Sequence, residues 1–107
     1  MLATVRNQGE GSPTWLYRRA EAALRAALRL DPDYEEAHLR LGHVLIGREK
    51  PDEGARELGW VAAKAADGRR RFVAELLLGS LHERRGRLGE AIAHFRQALA
   101  VQPASQA

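Results

Sequence analysis

The chain has 107 residues, nearly half of them apolar, with no cysteine and a formal net charge of +3. That length holds one small domain, the apolar share argues against a disordered chain, and the missing cysteines exclude disulfides, thiolate metal sites and thiol catalysis. The charge excess is mild and does not by itself indicate nucleic acid.

Residues 1–12 are polar and glycine-containing after a short apolar start, and they read as a loose arm. The first helix is expected from "SPTW", where Ser12 can cap and Pro13 suits the first helical position, to about Leu30. Trp15, Ala20, Leu24, Ala27 and Leu28 form its apolar stripe, and "DPD" stops it because Pro32 disfavours a helical residue before it. The second helix is expected over 34–47, opened by a capping box of Asp33 and Glu36, with Leu41, Val44 and Leu45 on its apolar side. Pro51 restarts the pattern for a third helix over 51–66 with Leu58 and Val61 buried, and Gly68 is expected to end it as a left-handed residue. A fourth helix runs from about Arg69 to Arg85 and is closed by Gly86, and a fifth covers 88–101 with Pro103 just beyond. No stretch has the alternating period of a strand. The fold class is therefore all-α, with five helices on short connections that pack as antiparallel neighbours.

The chain also repeats itself. Ala20, Gly54 and Ala91 are spaced by 34 and 37 residues, as are Leu24, Leu58 and Phe95, and Ala27, Val61 and Ala98. Gly42 and Gly79 lie 37 apart, each directly after a leucine. Three extra residues therefore enter between Val61 and Phe72, most simply in "ADGRRR". Small residues let two helices approach closely, and the large apolar residue fills the space between them.

These positions resemble the tetratricopeptide repeat, a 34-residue helix–turn–helix unit. The last copy carries Leu78 and Gly79, Gly86 at the turn, Glu90 and Ala91, Phe95, Ala98 and Pro103. The middle copy keeps Leu41 and Gly42 but has Gly54 for the usual Ala, Leu58 at the aromatic place and Ala66 where Pro is usual. His38 and Glu75 stand where the family often has Trp, and the first copy is a second helix only. The resemblance implies a short right-handed tetratricopeptide-like solenoid over residues 13–103, with 104–107 as a tail.

The resemblance further implies a scaffold that holds a peptide or a partner's helix in a concave groove lined by the first helix of each pair. The matching residues are Glu36, Leu39, Arg40, His43 and Ile46, then Val73, Leu76, Leu77, Ser80, Glu83 and Arg84. The mixture suits an amphipathic helix or an extended segment with apolar anchors. Some family members clamp a terminal carboxylate with paired Lys, Asn and Arg; here Arg40 matches one such place, while Leu39 and His43 occupy two others. The alternative function is a structural element that oligomerises through an end face bearing Ile92, Phe95 and Leu99.

No enzyme constellation stands out. The histidines, His38, His43, His82 and His94, are never four apart, no HExxH or phosphate-binding glycine loop occurs, and no cofactor or metal is called for. The histidines are expected at edges, with hydrated ring nitrogens. Adjacent helical residues turn by about 100 degrees, so Arg69, Arg70 and Arg71 point three ways and make no nucleic-acid stripe. They are expected to pair with Asp67, Glu83 or Glu90. The start lacks the apolar core of a signal peptide, and no apolar run approaches the roughly 20 residues of a membrane span, so cytoplasm is the default expectation.

Overall fold

The computed structural model describes residues 14–101, which form five α-helices: α1 (Thr14–Leu30), α2 (Glu35–Gly47), α3 (Pro51–Lys64), α4 (Gly68–Arg84) and α5 (Leu88–Val101). The expected caps at Ser12 and Pro13, and the stop at Pro103, lie outside the described residues. Each helix packs chiefly on its chain neighbours, and α2 also touches α4. Contacts between α2 and α3 run in opposite senses, from Ile46–Gly54 at one end to His38–Glu57 toward the other. The same holds for α4 and α5, from His82–Glu90 to Gly68–Val101. Two antiparallel pairs thus follow the lone helix α1.

The core runs through the first pair and into the second. Leu58, Val61, Ala65, Ala74 and Leu78 form its buried cluster, with Leu39, Ile46, Trp60 and Leu77 packed against it. The repeated small residues are the crossing points. A Cβ on Gly42 would stand 2.8 Å from two carbons of Leu58, and one on Gly54 would stand 2.8 Å from the Gly42 carbonyl oxygen. In the second pair, a Cβ on Gly79 would fall 2.5 Å from the Phe95 ring. Glycine is the only residue these separations admit without movement. Trp15, expected in the apolar stripe of α1, is instead exposed. The one buried residue of α1 is Glu21.

The helix ends depart from expectation in three places. The capping box of α2 does not form: Tyr34 takes the cap position without a side-chain bond, and the Asp33 N–H donates to Asp31 Oδ1 at 3.1 Å. Glu36 is drawn away to Arg40 and Arg70. Helix α3 ends at Lys64, and Gly68 is not left-handed but is the first residue of α4. Asp67 caps α4 by accepting the Arg69 N–H at 2.8 Å. The three extra residues are therefore absorbed as an added first turn of α4 rather than as a longer loop.

Both pairs turn through the same motif. The Lys50 N–H donates to the Leu45 carbonyl and the Glu49 N–H to that of Ile46; Arg87 and Gly86 do the same to His82 and Glu83. This is the Schellman closure, which needs a left-handed residue. Gly86 supplies it at φ 77°, but in the first pair it is Glu49, at φ 63°.

A carboxylate–histidine couple bridges each pair. His38 Nδ1 on α2 lies 2.7 Å from Glu57 on α3, while Glu75 on α4 lies 2.7 Å from His94 Nδ1 on α5. His38 also contacts the Pro32 carbonyl oxygen at 2.7 Å and stacks on Trp60 with ring centroids 3.8 Å apart. His82 stacks on His94, and its Nδ1 is buried without a hydrogen-bond partner, 3.7 Å from Glu90. Three of the histidines are therefore built into the helix pairs rather than hydrated at edges.

Candidate partner-binding face

Helices α2 and α4 run side by side in the same direction, tied by ion pairs at their starts and bordering common clefts at their ends. At their starts Arg70 reaches across to Glu36 (3.0 Å) and Glu35 (3.3 Å). At their ends Ile46 and Arg84 line the same two clefts. Between these ends the expected face carries Leu39 and Leu77, half-buried on the core, and Val73 and Leu76, 38 % and 36 % exposed. Arg40, His43, Ser80, Glu83 and Arg84 are exposed around them. All eleven expected residues thus fall on the α2 and α4 helices, with Leu39, Val73, Leu76 and Leu77 between the ends and Ile46 at the end of α2.

Electrostatics fix the starting edge of this face. Glu36 accepts from Arg40 at 2.6 Å and from Arg70, and these two guanidinium groups, Arg40 first, hold its carboxyl below the usual range. Glu35 accepts the Ala66 N–H at 2.7 Å. That bond, then the longer one from Asp67 and the Arg70 pair, lowers its carboxyl too. The bond to Ala66 exists because Ala66 has an N–H where the repeat usually has proline. Of the three arginines at 69–71, Arg70 joins α2 and also pairs with Asp67, as expected. Arg71 turns back to the carbonyls of Ala65 and Ala66. Among the described residues no arginine pairs with Glu83 or Glu90; Glu90 faces His82 instead.

The finishing edge holds two adjoining clefts. One, of about 300 Å³, is lined by Tyr17, His43, Val44, Ile46, Gly47 and Arg84. The other, of about 380 Å³, is lined by Ile46, Glu49, Pro51, Leu81, Arg84 and Arg85. Of these, sequence reasoning expected only His43, Ile46 and Arg84 on the face and missed Tyr17, Val44, Gly47, Glu49, Pro51, Leu81 and Arg85. The available signal was Gly47, which stands 37 residues before Arg84: a Cβ there would come 3.0 Å from the Tyr17 ring, so its smallness admits α1 to this edge.

Two models of the tetratricopeptide repeat match the chain, over residues 16–77 and 76–105. The chain belongs to the tetratricopeptide-repeat family. No curated protein and no solved structure matches it. As a tetratricopeptide-repeat protein it has the fold that generally serves as a protein–protein interaction scaffold. Among its described residues no group of three His, Asp or Glu could hold a metal ion, and no helix is long and apolar enough to cross a membrane. Its paired tie-arginines are equivalent by the 37-residue step: Arg48 reaches Glu21 on α1 at 2.6 Å, and Arg85 reaches Asp52 on α3 at 3.2 Å. Arg48, and then Arg25, hold the Glu21 carboxyl below the usual range against the opposing effect of burial.

Proposed function

We propose that this tetratricopeptide-repeat protein is a non-enzymatic scaffold that binds a peptide or a partner's helix along the face shared by α2 and α4. The observation that carries the reading is the exposed pair Val73 and Leu76 beside half-buried Leu39 and Leu77, with charged residues at both ends. An apolar strip of this kind anchors alternate side chains of an extended segment or one side of an amphipathic helix. The test immobilises the full chain, captures partners and identifies them by mass spectrometry. L76E and R40E should each lose the captured partner while circular dichroism stays helical. Capture unchanged by both substitutions would overturn the reading.

A second reading rests on α5. Leu88, Ile92 and Leu99 are 60 %, 50 % and 66 % exposed and, at steps of four and seven, lie along one side of the helix. Phe95 contributes less than its spacing suggests, because its ring lies on Gly79. This side would join copies of the chain. Light scattering of the full chain should then report an oligomer that L99E returns to monomer; a monomer at the outset removes the reading.

A further inference from the structure

We infer that the two clefts at the ends of α2 and α4 form an anchor for an acidic–apolar segment of the partner: a carboxylate beside Arg84, and a neighbouring aliphatic or aromatic side chain between Ile46 and Leu81. The inference rests on the α2/α4 face being the binding face, and it names the chemistry of what binds there.

The charge inventory points this way. The smaller cleft is walled by an arginine, a histidine, a tyrosine, two aliphatic side chains and a glycine, and by no carboxylate. Neighbouring cations are already committed: Arg85 to Asp52, Arg48 to Glu21 and Lys50, at 3.8 Å, also to Glu21. Arg84 and His43 are exposed, and their side chains form no ion pair or hydrogen bond with a described residue. A guanidinium with five free donors beside an apolar wall is suited to a carboxylate, which it can meet through two parallel hydrogen bonds. The adjoining cleft is lined by Ile46, Pro51 and Leu81 together with Glu49 and the committed Arg85, so its aliphatic side chains suit a bulky apolar group while Glu49 keeps the partner's carboxylate in the first cleft. Ile46 and Arg84 belong to both clefts, so the two groups must be close together on the partner. A basic side chain in the first cleft would instead meet Arg84 with no carboxylate in the wall to offset it.

The experiment selects binders to the full chain from a random phage-displayed library of twelve-residue peptides. The enriched peptides are then made synthetically and titrated by fluorescence anisotropy. The expected result is enrichment of Asp or Glu within a turn or so of Leu, Ile or Phe. Replacing that Glu by Gln in the peptide, or Arg84 by Gln in the protein, should each weaken binding about ten-fold or more. Combining the two should add little, and the affinity should fall with salt. R84Q alters an exposed side chain, so unchanged circular dichroism is expected to accompany the loss. Peptides that L76E abolishes but that ignore R84Q and the Glu-to-Gln change would leave the face intact and overturn the anchor. Enrichment of basic peptides would overturn it as well, and no enrichment at all would overturn both the anchor and the face. A mass that grows with concentration and reverts on R84Q would assign the clefts to a second copy of the chain and also overturn the peptide anchor.

Discussion

Where α2 crosses α3, Gly42 faces Gly54 backbone to backbone and Leu58 is wholly buried; where α4 crosses α5, Gly79 faces the ring of Phe95, which keeps some exposure. The first crossing is flanked by α1 on one side and α4 on the other, whereas α5 packs chiefly on α4. One spacing of small residues is thus met by two kinds of partner, rigid main chain in one pair and a side chain that can swing in the other. The lesson is that equivalent positions in a repeat need not be equally tolerant.

The largest test of that difference is L58A, which removes a fully buried side chain from the first crossing and should cost about 2–5 kcal/mol in denaturant unfolding. Next are the paired arginines. R48A strips Glu21 of its closest partner in a part-buried site and should cost about 1–3 kcal/mol. R85A acts on a pair whose Asp52 side chain is 79 % exposed and should cost under about 1 kcal/mol; equal losses would erase the contrast. The glycines come third. G54A meets a carbonyl oxygen and should lose about 1–3 kcal/mol despite alanine's better helix propensity. G79A meets a ring that can move and should lose less, and G59A, with nothing within 4 Å, should gain about 0.5–1 kcal/mol. At the turns, E49G should gain about 1 kcal/mol by relieving a left-handed glutamate, and G86A should lose a similar amount.

The smallest expected effect is acid sensitivity. Glu21, Glu35 and Glu36 have carboxyls lowered by their partners in the fold. A lowered carboxyl contributes stability that is complete above its unfolded value and is lost as pH falls through the folded one. The melting temperature should therefore drop below about pH 4.5, within the ordinary carboxylate range. E35Q, which ends the acidic bridge to Ala66 and Arg70, should flatten that drop; an unchanged slope would remove Glu35 from the account.

Helix count and crossing points were legible because burial imposes a period and close approach imposes small residues. Gly42, Gly54, Gly79 and Ala91 announce the contacts they make. What escaped was settled between elements. Nothing local marks Glu36 as a partner of Arg70 rather than of a helix cap, since the pairing depends on α4 gaining a turn. Gly68 looked like a terminator because glycine at a helix end usually is one, yet Asp67 beside it supplied a better start. The eleven expected face residues came from the repeat register alone. The clefts at their end needed α1, whose Tyr17 reaches α2 only because Gly47 leaves room.

The histidine–glutamate couples carry opposite polarity in the two pairs, histidine first in one and glutamate first in the other. A chain that mismatched its halves during folding, laying α2 on α5 or α4 on α3, would set two imidazoles or two carboxylates face to face. The order of the helices is thereby written into which acid meets which base, and a chimera with the halves exchanged would inherit the conflict.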